Sequence, residues 1–290
     1  MRIMLTIFLT TLLLVSCTNS EKGKTTNPEK QEKEIVIAQI NQKEALRKGM
    51  DALFRNFSES EMRTYYKEDY IQHNPNVSTG LNAVIGLLNP LRESGFGYTT
   101  HRMIEDDDLI LTHTIYTNAM VFSAPTVVAF DIWRMEDGKI AEHWDCIIPK
   151  YEETASGRSQ TDGFTAVTDL DKTEDNKALV KDFVEQVLMQ EDFSKMGDYI
   201  KNGLYDQHNP LVGDGPQALQ DVIAVSGLKN NKMHRVIGEG NFVLTQCEGT
   251  WNGKPQAIYD LFRVDKGAIV EHWDVIQEIP EEMAHDNSMF

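Results

Sequence analysis

The sequence predicts an α+β fold that occurs twice in tandem. Two observations carry this. Three motifs recur in the same order at nearly the same spacing, so the 290 residues hold two copies of one unit. Within each copy, helical periodicity comes first and four strand-like runs follow, the order of an α+β arrangement. Apolar residues make up 41% of the chain, enough to build two cores without staples.

The repeat is read directly. Tyr70-Ile71-Gln72-His73-Asn74-Pro75 returns as Tyr205-Asp206-Gln207-His208-Asn209-Pro210. His101-Arg102-Met103-Ile104 returns as His234-Arg235-Val236-Ile237. The stretch Asp131 to Asp145 returns without a gap as Asp260 to Asp274. Leu46, Met50, Leu53 and Phe57 share one helical face, as do Val180, Phe183, Val184 and Val187. Shorter helices are expected near Glu61–Glu68 and Asp192–Lys201, ended by the Asn-Pro that follows. Thr79 to Glu93 and Asp214 to Ser226 read as a third helix, with Pro216 in a first turn capped by Asp214 or Gly215.

The ends read differently. Met1-Arg2 precedes an apolar run to Val15, too short for a comfortable membrane span and flanked like a signal peptide. Leu14-Val15-Ser16-Cys17 resembles a bacterial lipobox, with lipid on Cys17. Thr18, rather than Asp, follows the Cys, which in an enterobacterial sorting scheme implies the outer membrane. The expected division is a signal peptide over 1–17, a polar tether over 18–33, a first domain over 34–152, a linker over 153–171, a second domain over 172–281 and a tail over 282–290. The expected address is the cell envelope, on the periplasmic or surface side, with membrane contact only through the lipid. Cys146 and Cys247 do not correspond in the repeat and read as buried thiols on strands. A net charge of −17 argues against nucleic acid as a partner.

The last hairpin of each copy carries the chemistry. Its turns are Glu136-Asp137-Gly138 and Asp265-Lys266-Gly267. Read as three-residue loops with a bulge at the third position, they pair Met135 with Lys139 and Val264 with Ala268. Equal steps outward set Asp131 opposite His143 and Asp260 opposite His272, with Cβ atoms about 5 Å apart. Asp145 and Asp274 follow two residues later on the same face. A carboxylate beside an imidazole makes an acid/base centre on an apolar face. The same pair also occurs as a self-satisfied structural contact, with Arg134 or Arg263 neutralising nearby charge. Six of the eight His lie in repeated motifs; His113 stands outside them and corresponds to Gln246. A metal site from His73, His143 and Asp131 lacks any close-spaced ligand motif. Trp144 and Trp273 fall on the face opposite the His, a surface on which the two sheets are expected to pack as an intrachain pseudo-dimer.

Together, Tyr-x-Gln-His-Asn-Pro, His-Arg-x-Ile and the closing Glu-His-Trp-Asp hairpin resemble the SnoaL-like branch of the nuclear-transport-factor-2-like superfamily, in both halves. The resemblance implies a cone: a curved antiparallel sheet wrapped around about three helices, with a pocket inside. It implies a small-molecule ligand and no cofactor or metal. Family members are polyketide-cyclase-like or aldol-condensation enzymes, and the resemblance casts Asp131 and Asp260 as acid/base residues with His143 and His272 orienting them. His73, His208, His101, His234, His113, Trp133 and Phe262 are then expected to line the pockets. The fold also hosts binding and scaffold proteins, so a non-catalytic ligand-binding or envelope scaffold lipoprotein stays open beside a cyclase or isomerase.

Overall fold

The computed structural model describes residues 41–290. The expected signal peptide, Cys17, the tether and the first residues of the first domain lie outside the described residues. Among the described residues no helix is long and apolar enough to cross a membrane.

The first half runs α1 (Gln42–Phe54), α2 (Glu59–Tyr65), β1 (Tyr66–Gln72), α3 (Leu81–Ile85), α4 (Leu88–Ser94), β2 (Gly97–Asp106), β3 (Leu109–Thr117), β4 (Thr126–Glu136) and β5 (Lys139–Pro149). The second runs α5 (Thr173–Phe183), α6 (Met196–Tyr199), β6 (Asp206–Gln207), α7 (Pro216–Ser226), β7 (Leu228–Glu239), β8 (Phe242–Trp251), β9 (Lys254–Asp265) and β10 (Ala268–Glu278). Each half forms a five-stranded sheet, ordered β1-β5-β4-β3-β2 and β6-β10-β9-β8-β7. The meanders are antiparallel, and β1 and β6 join them in parallel beside β5 and β10. This is the expected α+β architecture, with helices packed inside each curved sheet.

Side-chain oxygens start the first helices. Asn41 accepts from the Glu44 amide and Ser58 from the Glu61 amide. Helix α1 buries Leu46, Met50 and Leu53 fully or nearly so against the inside of the first sheet. Val180, Phe183, Val184 and Val187 do the same in the second, the last two on a π-helical turn that continues α5. Gly215 caps α7 and Pro216 occupies its first turn, as expected.

Three local expectations change. Residues 66–68 are strand: Tyr66 pairs with Ile140 of β5, and the ladder resumes at Ile71 after a break in register. Phe57 lies past the end of α1 with φ of 49°, so it does not extend the helical face. The third helix of the first half is split into α3 and α4 around Gly86.

The hairpin register also changes. The loops are two residues, Asp137-Gly138 and Lys266-Gly267, all with positive φ as a type I′ turn requires. Glu136 pairs with Lys139, and Asp265 with Ala268. A β-bulge follows at once, between Ile140 and Glu142 and between Ile269 and Glu271, and adds one residue to the second strand. Asp131 therefore pairs with Asp145, not His143, and Asp260 with Asp274, not His272. The short turn alone would send Asp and His to opposite faces. The bulge restores parity, so they share a face as diagonal neighbours.

The outer faces of the two sheets meet. Val128, Phe130, Ile132, Trp144 and Cys146 from the first join Leu244, Tyr259, Leu261, Trp273 and Val275 from the second in one buried cluster. Cys146 and Cys247 are buried free thiols on strands. At the rim Lys43 bridges to Glu239, and Lys177 to Asp106 at 2.7 Å, each crossing between halves.

Candidate active site

Strand alternation sorts the motifs into two faces. From Tyr70-Ile71-Gln72-His73-Asn74, the side chains of Tyr70, Gln72 and Asn74 enter the inside of the sheet, where β5 sends His143 and Asp145 and β4 sends Asp131 and Trp133. The equivalent group is Tyr205, Gln207, Asn209, His272, Asp274 and Asp260.

Gln72 fixes the imidazole. Its Oε1 accepts from the backbone N–H of His73 and Asn74, both at 2.9 Å, which settles the amide orientation. The same oxygen lies 3.0 Å from His143 Nδ1, so Nδ1 carries a proton and donates. His143 Nε2 is left facing Asp131 Oδ1 at 3.3 Å. In the second half Gln207 Oε1 accepts from the Asn209 amide and from His272 Nδ1, both at 2.9 Å. His272 Nε2 then faces Asp260 Oδ1 at 3.1 Å. Each pair sets a buried carboxyl group against Nε2 of an imidazole whose Nδ1 is held by Gln. The rings lie on aromatic faces: His143 on Trp133 at 3.9 Å and His272 on Phe262 at 4.8 Å between centroids.

A second carboxyl completes each group. Asn74 Nδ2 donates to both oxygens of Asp145, and Asn209 Nδ2 to Asp274 Oδ2. Burial pushes the Asp145 carboxyl up to about 6; His143 opposes that shift and Asp131 adds to it. Burial does the same to Asp274, also to about 6, with His272 and Asp260 in the corresponding parts. Sequence reasoning placed Asp145 and Asp274 on this face without giving them a role. It missed Tyr70, Gln72, Asn74 and their repeats, which the period-two alternation of the first motif would have found. Asp131, His143 and Asp145, and likewise Asp260, His272 and Asp274, each offer one ligand atom within 4.8 Å of the others, a donor set that would suit a divalent ion.

The other expected pocket residues lie elsewhere. His73 and His208 stack on Trp144 and Trp273 at 4.7 and 4.6 Å, on the outer face, so they do not reach the pocket mouth. This also removes His73 from any ligand set with Asp131. Glu142 takes His73 Nε2 at 2.9 Å and Arg134 Nε at 2.8 Å, and Glu271 takes His208 and Arg263. Arg134 and Arg263 therefore neutralise these Glu, not the pocket Asp. His113 is buried on the outer face at 3.1 Å from Arg102 Nη1, and burial beside that cation holds its pKa well below the usual value. His101 lies beside His113, with centroids 6.2 Å apart, and its pKa is lowered by burial. His234 stacks on Phe290 and faces Glu248 at 3.1 Å. Trp133 does line the first pocket; Phe262 supports His272 from behind.

The two pockets differ in how well they satisfy themselves. In the first, Asp131 Oδ2 accepts from Tyr116 Oη at 3.0 Å and Thr112 Oγ1 at 3.3 Å, and Trp133 Nε1 donates to Thr112 at 3.1 Å. Gln72 Nε2 donates to Tyr70 Oη at 3.2 Å. In the second, Tyr116 is replaced by Gly249 and Trp133 by Phe262, so both donors are gone. Asp260 Oδ2, Tyr205 Oη, Gln207 Nε2 and Asn230 Nδ2 are buried without a well-formed hydrogen bond, Gln207 lying only loosely against the Tyr205 hydroxyl and Asn230 against the Cys247 thiol, and all four residues line the pocket. Each such group costs about 1–3 kcal/mol if nothing meets it. The second pocket has a cavity volume of about 70 Å³ and the first about 40 Å³.

Fold and site together define a helix-filled, curved-sheet α+β domain with an Asp–His–Asp group inside, present twice. The family model of the SnoaL-like domain matches residues 50–143. No curated protein sequence matches the chain. Among solved structures, an epoxide hydrolase of the LEH-like kind from M. tuberculosis is 23% identical, covering 37% of this chain and 85% of that one, with a TM-score of 0.31. An NTF2-like protein of unknown function from Cytophaga hutchinsonii is 20% identical over 40% of this chain and 95% of that one, with a TM-score of 0.30. TsrD from Streptomyces laurentii is 16% identical over 36% and 86%, with a TM-score of 0.31.

Proposed function

We propose that both halves are SnoaL-like and that the chain performs cofactor-independent acid/base chemistry on a small carbonyl compound, of the aldol-condensation, cyclase or isomerase type. One observation carries this reading. Asp260 Oδ2 is buried without a partner in a largely apolar pocket, while Oδ1 is held by His272 and the tautomer of His272 by Gln207. A carboxylate so placed can take the proton from the carbon beside a carbonyl. The electron pair moves onto the carbonyl oxygen, which Tyr205 Oη and Gln207 Nε2 are placed to meet. The proton then returns from Asp260 to another carbon of the same molecule, as in an isomerisation.

Native mass spectrometry of the chain from Thr18 onward, purified mildly, tests this with Asp131→Asn and Asp260→Asn. A co-purifying small molecule that the wild type converts and Asp260→Asn converts at least 100-fold more slowly supports it. Absence of any ligand, with variants indistinguishable from wild type, would assign the Asp–His pairs to structure. The apolar walls around Leu219 and Ile258 also favour a pure binding module, in which Asp260→Asn keeps the ligand and no chemistry is lost.

The two sheets, meeting through Trp144 and Trp273, are proposed to act as an intrachain pseudo-dimer. Export with lipid on Cys17, at the cell envelope and with the outer membrane as its expected site, is the reading of the lipobox. Incorporation of labelled palmitate that Cys17→Ala abolishes would support it.

A further inference from the structure

Resting on the pocket reading above, we propose a division of labour: the second half binds the ligand, the first half is a self-satisfied copy that stays shut, and the ligand is a neutral molecule with an apolar body and a single carbonyl head.

The asymmetry follows from two substitutions within the repeat. In the first half Tyr116 and Trp133 form a closed relay, from the indole N–H to Thr112 and from Thr112 and Tyr116 to Asp131. The Tyr116 ring also fills space, packing on Phe54 at 5.2 Å and Phe96 at 5.4 Å. Gly249 and Phe262 remove the ring and both donors at once. Thr245, the counterpart of Thr112, loses its partner too and joins the unpartnered buried atoms. Among the polar side-chain atoms lining the described first pocket, none lacks a well-formed hydrogen bond when buried, whereas in the second four do. A pocket whose polar atoms are already paired gives a ligand nothing to replace.

The ligand class follows from the kind and place of the four atoms. Tyr205 Oη, Gln207 Nε2 and Asn230 Nδ2 are donors, and Asp260 Oδ2 accepts or holds a proton. Leu188, Val222, Ile223 and Trp251 supply the apolar wall. Neither Lys nor Arg lines the pocket, while Asp260 and Asp274 both do, so a carboxylate or phosphate head is repelled. A hydrocarbon would leave the donors unpaired, and such sites reject analogues that lack the hydrogen-bonding atom.

Three near-isosteric probes test this by ligand-observed NMR and calorimetry: 2-acetylnaphthalene, 2-isopropylnaphthalene and 2-naphthoate. The ketone is expected to bind at least tenfold more tightly than the hydrocarbon, with no measurable binding of the carboxylate. Val222→Trp, which fills the second pocket, should abolish ketone binding, and Val84→Trp in the first should leave Kd within twofold. Should Val222→Trp not fold, Gln207→Leu replaces it, with loss of the ketone preference and retained hydrocarbon affinity expected. If the first-pocket variant removes binding, or each variant removes half the sites, the division of labour is wrong while the pocket reading survives. If the hydrocarbon equals the ketone or the carboxylate binds best, the ligand class is wrong. If none of the probes binds, this inference and the pocket reading both fall.

Discussion

Asp145 and Asp274 are the two carboxyl groups, among the described residues, whose pKa the fold raises. Each is buried beside another carboxyl, and burial raises each to about 6 from an ordinary 3.8. A carboxyl raised in the folded state stabilises that state fully below its unfolded pKa, and the contribution is lost as pH rises through the folded value. Between pH 4 and pH 8 each group is therefore expected to withdraw about 2 kcal/mol of stability. Asp145→Asn and Asp274→Asn remove the ionisation and keep a carbonyl oxygen for the Asn74 or Asn209 amide. Their melting temperatures should rise relative to wild type as pH increases from 4 to 8, by several degrees each. Melts followed by circular dichroism across that range check the sign. A difference that is constant with pH would mean that the carboxyls stay ionised throughout.

The closing hairpin shows what was legible in the chain and what was not. Glu-His-Trp-Asp alternates across a strand, so the separation of His143 and Asp145 from Glu142 and Trp144 could be read from period two alone. The register could not. A turn one residue shorter than expected and a bulge one residue later cancel in parity; Asp137-Gly138 does mark a two-residue turn, but the bulge leaves no compositional mark. Strand β1 escaped for a different reason: Lys67, Glu68 and Asp69 are polar and lie in a break of register, between Tyr66 and Ile71, which β5 pairs. The His residues of the first motif were misplaced because a motif was treated as one cluster when its alternate residues face opposite ways. The bulge, being what holds the site on the inner face, yields a contrast. Deleting Ala141 should transfer His143 and Asp145 to the outer face and abolish cooperative folding. Gly138→Ala, which strains only a turn residue at φ of 72°, should cost about 1–2 kcal/mol and leave the fold intact. Urea titration of both separates the two roles. A soluble, cooperatively folding deletion would show that the register is set elsewhere.

At the scale of the whole molecule, the segments that follow each sheet are more than a connection and an end. After β5, Ser159 O meets His208 Nδ1 at 2.7 Å, and Asp162 O accepts from Trp273 Nε1 at 3.0 Å and from Arg102. After β10, Ser288 O meets His73 Nδ1 at 2.5 Å, and Met289 O accepts from Gln246. Each arm thus leaves one half and closes over the His–Trp stack of the other, with Arg102 lying 4.0 Å over Trp273 and Arg235 4.1 Å over Trp144. Polar composition marked residues 153–171 and 282–290 as lying outside the repeat. It could not show their docking, because their bonds run through backbone carbonyls that any sequence carries. The second arm also buries Met289 to 1% exposure and ties Asn287 and His285 to the carbonyls of Gln72 and Asn74 at 2.9 Å each. Removing residues 282–290 should therefore cost about 3 kcal/mol, from the Met side chain and the lost hydrogen bonds. The loss should fall on the half from which the arm does not come. Hydrogen exchange is expected to quicken in β1 and in the His143 end of β5, more than in β6 and β10. Equal quickening in both sheets would mean that the arm supports the shared core alone. Quickening confined to β10 would mean that it merely continues its own strand.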